Sequence, residues 1–253
     1  MPLAGAGILV TRPAAQAGRL AQLVREAGGL PVLLPALEIE PLPQAVPADV
    51  ARGCDLVIFV SPNAVRHGLQ KLQSAAVLGT ATRVAAIGPG TAAELKKGAV
   101  GDIISPRCGY DSEALAAELS DRSPGKVLIV RGQGGRGWLG EALRGRGATV
   151  SYFECYRRSR PAGGLGELLD GPVRGRVRAC TATSSSIVEN LFEMGAAAGA
   201  AWLRHMPFFV SHPRVAAAAF ARGVRTIFVT GNGDAALTAG LVAWFARERP
   251  SRD

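Results

Sequence analysis

Residues 126–158, KVLIVRGQGGRGWLGEALRGRGATVSYFECYRR, contain the pattern that decides the fold. Two apolar runs, 127–131 and 150–156, have the composition of buried strands. Between them, Leu139 and Leu143 have the i, i+4 spacing of a buried helix face. The stretch therefore predicts a strand, a glycine-rich turn, a helix and a second strand.

The same pattern occurs twice in the chain. Residues 7–39 align with 126–158 without a gap. Residues 56–119 align in the same way with the last third of the chain, where Ser61 falls on Ser184. Strands alternate with helices throughout, which is typical of parallel sheets covered by helices. We therefore expect an α/β protein with an internal duplication and two five-stranded sheets.

Composition and charge exclude several classes of protein. The chain has 253 residues, is 48% hydrophobic and carries a formal net charge of +9, which indicates either an acidic partner or solvated arginines. The basic residues form no run with interleaved aromatics, so we expect no nucleic acid partner. The four cysteines lack a C-x-x-C pair and the three histidines lack ligand spacing, so we expect a reduced, cytoplasmic protein without a metal site.

No signal peptide or membrane-spanning run is evident, so we expect no membrane association.

Small hydroxyl residues, glycines and arginines follow the predicted strands. In parallel sheets, ligands bind at the carboxyl ends of strands, beside helix N-termini that attract anions. The candidate binding residues at these ends are Arg12, Ser61, Asn63, Thr91, Arg131, Arg136, Ser184, Ser185 and Arg214. They include no carboxylate pair and no histidine-centred triad, which argues against hydrolysis. Helix capping alone would also explain the hydroxyl residues.

The glycines of the central stretch suggest a different function. Gly132, Gly134 and Gly137 form a G-x-G-x-x-G pattern after a strand, with Glu154 further on, as in dinucleotide-binding folds. This pattern would indicate a nucleotide-dependent oxidoreductase or transferase. The corresponding turn of the first copy, 13–18, has no such motif. A turn for close helix–strand packing is the alternative interpretation.

Short segments in order along nearly the whole chain resemble the uroporphyrinogen-III synthase family. They are VTRPAAQAGRL (10–20), VLLPALEIEPL (32–42), LVIFVSPNAV (56–65), AAIGPGTAAEL (85–95), DSEALAAEL (111–119), VLIVRGQGGR (127–136), RGATVSYFECYRR (146–158) and TSSSIVENLF (183–192). The last third is the least typical part, because Arg214 stands where the first copy has Thr91.

The resemblance implies two flavodoxin-like parallel-sheet lobes joined by two extended β tethers. On that basis lobe 1 is discontinuous and lobe 2 is the middle of the chain. The expected bounds are 1–36 and 161–253 for lobe 1, 42–154 for lobe 2, and 37–41 and 155–160 for the tethers.

The resemblance also implies a function. The expected reaction is cyclisation and dehydration of hydroxymethylbilane to uroporphyrinogen III, with inversion of ring D through a spiro intermediate, by a lyase of haem biosynthesis. No cofactor or metal is implied, and the substrate is a linear tetrapyrrole with eight carboxylates. Tyr156 would assist departure of the hydroxyl group, and the hydroxyl and arginine residues at the strand ends would bind carboxylates. We expect a monomer. A half-buried strand tyrosine is the alternative interpretation of Tyr156, and a non-catalytic sensor of an anionic metabolite is the alternative for the chain.

Overall fold

The structure is a computed structural model, and it describes residues 1–50, 53–120 and 125–248. The strands are β1 (Gly7–Val10), β2 (Leu30–Leu33), β3 (Glu38–Pro41), β4 (Leu56–Phe59), β5 (Arg83–Ala86), β6 (Ile103–Ile104), β7 (Lys126–Gly132), β8 (Thr149–Ser159), β9 (Val177–Ala182), β10 (Phe208–Val210) and β11 (Ile227–Val229). The helices are α1 (Ala14–Glu26), α2 (Pro62–Ser74), α3 (Pro89–Lys97), α4 (Ser112–Glu118), α5 (Trp138–Arg144), α6 (Gly166–Asp170), α7 (Ser185–Met194), α8 (Ala196–Arg204), α9 (Pro213–Ala221) and α10 (Asp234–Arg247).

These strands form two sheets, and the α/β architecture with parallel sheets is confirmed. The first sheet has the order β11-β10-β9-β1-β2, and the second has the order β3-β8-β7-β4-β5-β6. Neighbouring strands are parallel throughout the first sheet. They are also parallel from β8 to β6 in the second sheet. Read from β2, the first sheet corresponds strand by strand to β8-β7-β4-β5-β6 of the second.

The chain divides into two compact units, each of which contains one sheet. Unit 1 consists of Met1–Glu38 and Ser159–Asp253, and unit 2 consists of Ile39–Arg158. The chain therefore passes from one unit to the other twice.

In unit 2, helices cover both faces of the sheet. All four residues of β4 are fully buried. Its alternate side chains pack on one face with Leu72 of α2 and Leu95 of α3. On the other face they pack with Leu115 of α4 and Leu143 of α5. A strand buried on both faces is apolar at every position, which explains the run LVIF.

In unit 1, α1 and α10 pack together on one face of the sheet. Leu20 and Val24 of α1 share a buried cluster with Leu237 and Leu241 of α10. The hydroxyl of Thr11, at the end of β1, donates to the carbonyl of Thr181 in β9 at 2.6 Å. The polar groups at the strand ends are thus hydrogen-bonded within the sheet, as burial requires.

The second sheet differs from the sequence-based expectation of two five-stranded sheets. The residues EIEP, expected as part of the extended tether 37–41, form the sixth strand β3. Its neighbour β8 is 11 residues long and lies between β3 and β7. The polar segment between β8 and β9 contains α6 and a short 3-10 turn at Arg174–Arg176. Among the helices of the described ranges, none combines the length and apolar character needed to cross a membrane.

The four cysteines differ in accessibility, which gives a first prediction. All are free; Cys108 is exposed, whereas Cys54, Cys155 and Cys180 are buried. Burial raises the pKa of the Cys54 and Cys155 thiols to about 11, with Asp55 adding to the effect at Cys54. We expect Ellman's reagent at pH 8 to titrate one thiol rapidly in the native protein and four in denaturant, because the thiolate is the reactive form. The variant Cys108→Ser should lose the fast phase; a fast phase that persists would contradict the burial pattern.

Candidate functional site

Two helices of unit 2 begin directly after neighbouring strands. Ser61 follows β4 and caps α2, and its Oγ accepts the Ala64 N–H at 3.0 Å. Gly88 precedes α3 without a side-chain cap. Asn63 is half-buried in the first turn of α2, and Thr91 is only 4% exposed in the first turn of α3. Both helix N-termini lie at the carboxyl edge of the sheet, where their partial positive charge favours anions.

A β-bulge in β8 directs Tyr156 to the α2 side of the sheet. Arg131 lies opposite Glu154 in regular register, and the register then shifts so that Gly132 lies opposite Tyr156. Cys155 is the extra residue, and both Cys155 and Tyr156 belong to the core cluster that contains residues of α2. Regular alternation along the strand would have placed Tyr156 on the opposite face.

The hydroxyl of Tyr156 is held by its neighbours. The residue is 1% exposed, and its Oη lies 3.0 Å from Ser61 Oγ. The His67 ring of α2 lies 5.9 Å from the tyrosine ring, centroid to centroid. Burial lowers the pKa of His67, and two neighbouring cations add to the effect. The imidazole beside Tyr156 is thus biased toward its neutral form.

Gly132 provides the space for the Tyr156 ring. A Cβ atom at position 132 would lie 2.6 Å from Cζ and 2.7 Å from Cε2 of Tyr156. Gly134 has a φ of 69°, which few side chains tolerate. The glycines of the motif thus meet local packing and turn requirements.

Arg131 organises the loop that follows β7. Its Nε and Nη2 donate to Glu154 Oε1 at 3.1 and 2.9 Å, and its Nη1 donates to the Gly135 carbonyl at 2.9 Å. The guanidinium also lies 4.0 Å from the centroid of the Tyr152 ring. Glu154, which the dinucleotide interpretation would assign to a ribose, is therefore engaged by Arg131. These contacts favour the packing interpretation of the glycine motif.

A cavity of about 240 Å³ lies beside Tyr156, at the carboxyl ends of β4, β5 and β7. Its lining is Val60, Ile87, Ser112, Ile129, Arg131, Gly132, Gln133, Gly134, Gly135, Arg136, Leu139, Tyr156 and Arg158. Val60, Ile87, Ile129 and Leu139 form the apolar part of this lining, and three arginines belong to it. An apolar lining with a few convergent polar groups is typical of ligand sites.

Larger cavities lie at the other edge of each sheet. One of about 480 Å³ is lined by residues that include Ala6 and Arg178, near the amino ends of β1 and β9. Another of about 530 Å³ includes Thr82 and Asp102, which precede β5 and β6. We assign the smaller cavity as the candidate site because ligands of parallel sheets bind at the carboxyl ends of strands. Within the described part of the chain, no group of three or more His, Cys, Asp or Glu side chains could hold a metal ion.

The predicted residues of unit 1 lie at the ends of its own strands. The Arg12 guanidinium binds Asp234 at 2.5 Å, with both side chains largely buried. Ser184 caps α7, and its Oγ accepts a backbone N–H at 3.2 Å. The Ser185 hydroxyl donates to the carbonyl of Arg214 at 3.4 Å. Each of these bonds has a structural role, and none is directed into a cavity named above.

The structure thus brings part of the predicted set together. In unit 2, Arg131, Arg136 and Tyr156 line one cavity. Ser61 is not part of that lining, but its Oγ lies 3.0 Å from the Tyr156 hydroxyl. Asn63 and Thr91 are not part of the lining. Arg158 was missed, although it stands two positions after Tyr156 and therefore shares its strand face.

Comparisons with known proteins identify one family. A family model described as "Uroporphyrinogen-III synthase HemD" matches residues 18–233. The uroporphyrinogen-III synthase of Salmonella typhimurium is 32% identical over 237 residues, covering 90% of this chain and 96% of the relative. That of Escherichia coli K12 is 31% identical over 236 residues, with the same two coverages of 90% and 96%. A crystal structure of a mutant uroporphyrinogen III synthase from Thermus thermophilus has the same fold, with a TM-score of 0.63 at 19% identity, over 96% of this chain and 100% of that chain.

The close approach of the Tyr156 ring to Gly132 predicts that adding a methyl group at position 132 destabilises the fold. We expect Gly132→Ala to destabilise the fold by about 1–3 kcal/mol, because the ring is enclosed and must move. Urea unfolding measures this change. Gly18→Ala is the matched control: no atom lies within 4 Å of a Cβ there, and α1 should gain up to ~1 kcal/mol. Equal stability of Gly132→Ala and the native protein would show that the ring is not confined.

Proposed function

This chain belongs to the uroporphyrinogen-III synthase family, and we propose that it is a lyase that cyclises and dehydrates hydroxymethylbilane to uroporphyrinogen III with inversion of ring D. The hydroxymethyl group leaves as water and generates an electrophilic azafulvene. The substituted carbon of ring D attacks it to form a spiro intermediate, which fragments and closes in the inverted orientation. Substrate and product differ by one water molecule, so no oxidant or reductant is consumed.

The observation that carries this proposal is that Tyr156 lines the cavity while its hydroxyl lies 3.0 Å from Ser61 Oγ. Ser61 Oγ already accepts a backbone N–H, and its own proton is available to the tyrosine oxygen 3.0 Å away. When Ser61 donates to Tyr156, the phenol proton is free to point into the cavity. There it donates a hydrogen bond to the departing hydroxyl and assists loss of water.

The rest of the cavity positions the substrate. A volume of about 240 Å³ is below the ~300–1,000 Å³ of sites that enclose a drug-sized ligand, so it accommodates one pyrrole ring with its acidic arms. Because the unguided chain can close without inversion, the enzyme must hold ring D in a shape that favours attack by its substituted carbon. The rim arginines and the helix N-termini supply the positive charge for this task.

We further propose that the two units are flavodoxin-like lobes that arose by duplication. Their strand orders support this. The order β2-β1-β9-β10-β11 is the 2-1-3-4-5 arrangement of such sheets, and β8-β7-β4-β5-β6 is a circular permutation of the same arrangement. The lobe bounds 1–36 with 161–253, and 42–154, with tethers 37–41 and 155–160, belong to this proposal. The proposal also includes a monomeric state, a cytoplasmic location and activity without metal or cofactor.

A coupled assay tests the activity. The enzyme that produces hydroxymethylbilane is supplied with its substrate, and the oxidised products are separated by chromatography. We expect the type III isomer to dominate in the presence of this protein and the type I isomer, from spontaneous closure, in its absence. Type I product alone would overturn the proposed function. Binding of the tetrapyrrole without turnover would favour a sensor.

Tyr156→Phe tests the chemical role of the phenol. We expect kcat to fall by about 100-fold, within the range typical of a lost proton donor, while the circular dichroism spectrum stays unchanged. Unchanged kcat would indicate that Tyr156 has only a packing role.

A double-mutant cycle tests how Ser61 acts. If Ser61 orients the phenol, Ser61→Ala lowers kcat in the native background and has no further effect on kcat in Tyr156→Phe. Additive losses would instead indicate that Ser61 contacts the substrate directly, as the sequence predicts. Asp55→Ala serves as the control for stability, because Asp55 accepts the Lys126 N–H at 2.7 Å at the opposite edge of the same sheet.

A further inference from the structure

The three arginines of the cavity differ in how their charges are balanced. Arg131 forms an ion pair with Glu154, with 14% and 28% of the side chains exposed. Arg136 pairs with Glu113 at 3.2 Å, with both groups well exposed, and such pairs are weak. Two of the three guanidinium groups thus already have carboxylate partners.

Arg158 is the exception. Its side chain is exposed and lines the cavity, with the guanidinium carbon 6.0 Å from the centroid of the Tyr156 ring. Among the described residues, no carboxylate lies within 4.0 Å of it. The preceding residue, Arg157, points to the other face of the strand and binds Glu40 at 2.6 Å.

Two adjacent arginines therefore have different roles. Arg157 contributes to an ion pair with Glu40 at the protein surface. An arginine without a partner beside an apolar cavity leaves a positive charge that a ligand can neutralise. The guanidinium plane can bind a carboxylate through two parallel hydrogen bonds, which fixes orientation as well as position.

We propose that Arg158 binds a carboxylate of the pyrrole ring that occupies the cavity and thereby positions that ring against the Tyr156 hydroxyl. The inference rests on the proposed function and adds to it the residue that selects for acidic pyrroles. Arg158 acts as a positioning residue, since Tyr156 alone contacts the departing group. Because Arg158 lies two residues after Tyr156 and lines the same cavity, a carboxylate bound to it holds the pyrrole ring beside the Tyr156 hydroxyl.

Steady-state kinetics with three variants test the assignment. We expect Arg158→Gln to raise KM for hydroxymethylbilane by about 10-fold or more, the scale of a charge-assisted hydrogen bond, with a smaller change in kcat. Arg158→Lys should restore part of the affinity, because it keeps the charge but loses the bidentate geometry. Arg157→Gln is the matched control and should leave KM within about twofold, because its partner is a surface carboxylate. Equal effects of the 157 and 158 substitutions would overturn the inference.

Equilibrium binding provides a readout that is independent of turnover. The probes are a monopyrrole with one acetate and one propionate group, and the dimethyl ester of the same compound. We expect calorimetry to show that the native protein prefers the acid, and that Arg158→Gln lowers affinity for the acid about 10-fold without changing affinity for the ester. Equal binding of acid and ester by the native protein would overturn the assignment.

The two levels of the proposal fail in different ways. If the native protein forms only the type I isomer, the proposed function is wrong. If it forms the type III isomer but Arg158→Gln has the native KM and the native preference for the acid, the function stands and the role of Arg158 is wrong.

Discussion

The packing of the Tyr156 ring over Gly132 is the contact on which the candidate site depends. The ring can lie there only because position 132 has no side chain, and it faces α2 only because β8 contains an extra residue at Cys155. From that position its hydroxyl reaches the Ser61 cap of α2, and the residue lines the cavity. A bulge beside a functional side chain is a recurrent way to redirect it without changing the sheet.

The net charge of the chain does not show how many of its arginines are already paired with carboxylates. The formal charge of +9 suggests an anion-binding surface, yet several arginines at the strand ends are engaged in ion pairs. Arg12 binds Asp234 and Arg131 binds Glu154, both with limited exposure. These pairs fix helices and loops, since removing one partner would leave a partly buried charge. At the cavity, the exposed guanidinium groups of Arg136 and Arg158 are less neutralised than these two.

The amino-acid pattern was sufficient for the alternation of strands with helices, because apolar runs and i, i+4 spacing reflect burial directly. It failed where the geometry depends on pairing between distant strands. The residues EIEP were expected only as an extended tether between the units, and their place beside β8 in a sheet has no local signal. Alternation along β8 would have placed Tyr156 on the wrong face, because a bulge is set by the partner strand. The ion pair between Arg131 and Glu154 could not be predicted either, because the two residues are 23 positions apart and meet only through the pairing of their strands.

The discontinuity of unit 1 has a consequence for the order of events during synthesis. Unit 2 is one uninterrupted segment, Ile39–Arg158, so its strands are synthesised in one continuous stretch. In unit 1, by contrast, Thr11 at the end of β1 bonds to Thr181, 170 residues later. At about 5–20 residues per second, the apolar segment GILV waits roughly 10–30 s for its central partner. During translation β1 therefore waits longer for its central partner than β4 waits for β7, and it is exposed to aggregation and to chaperones for that time.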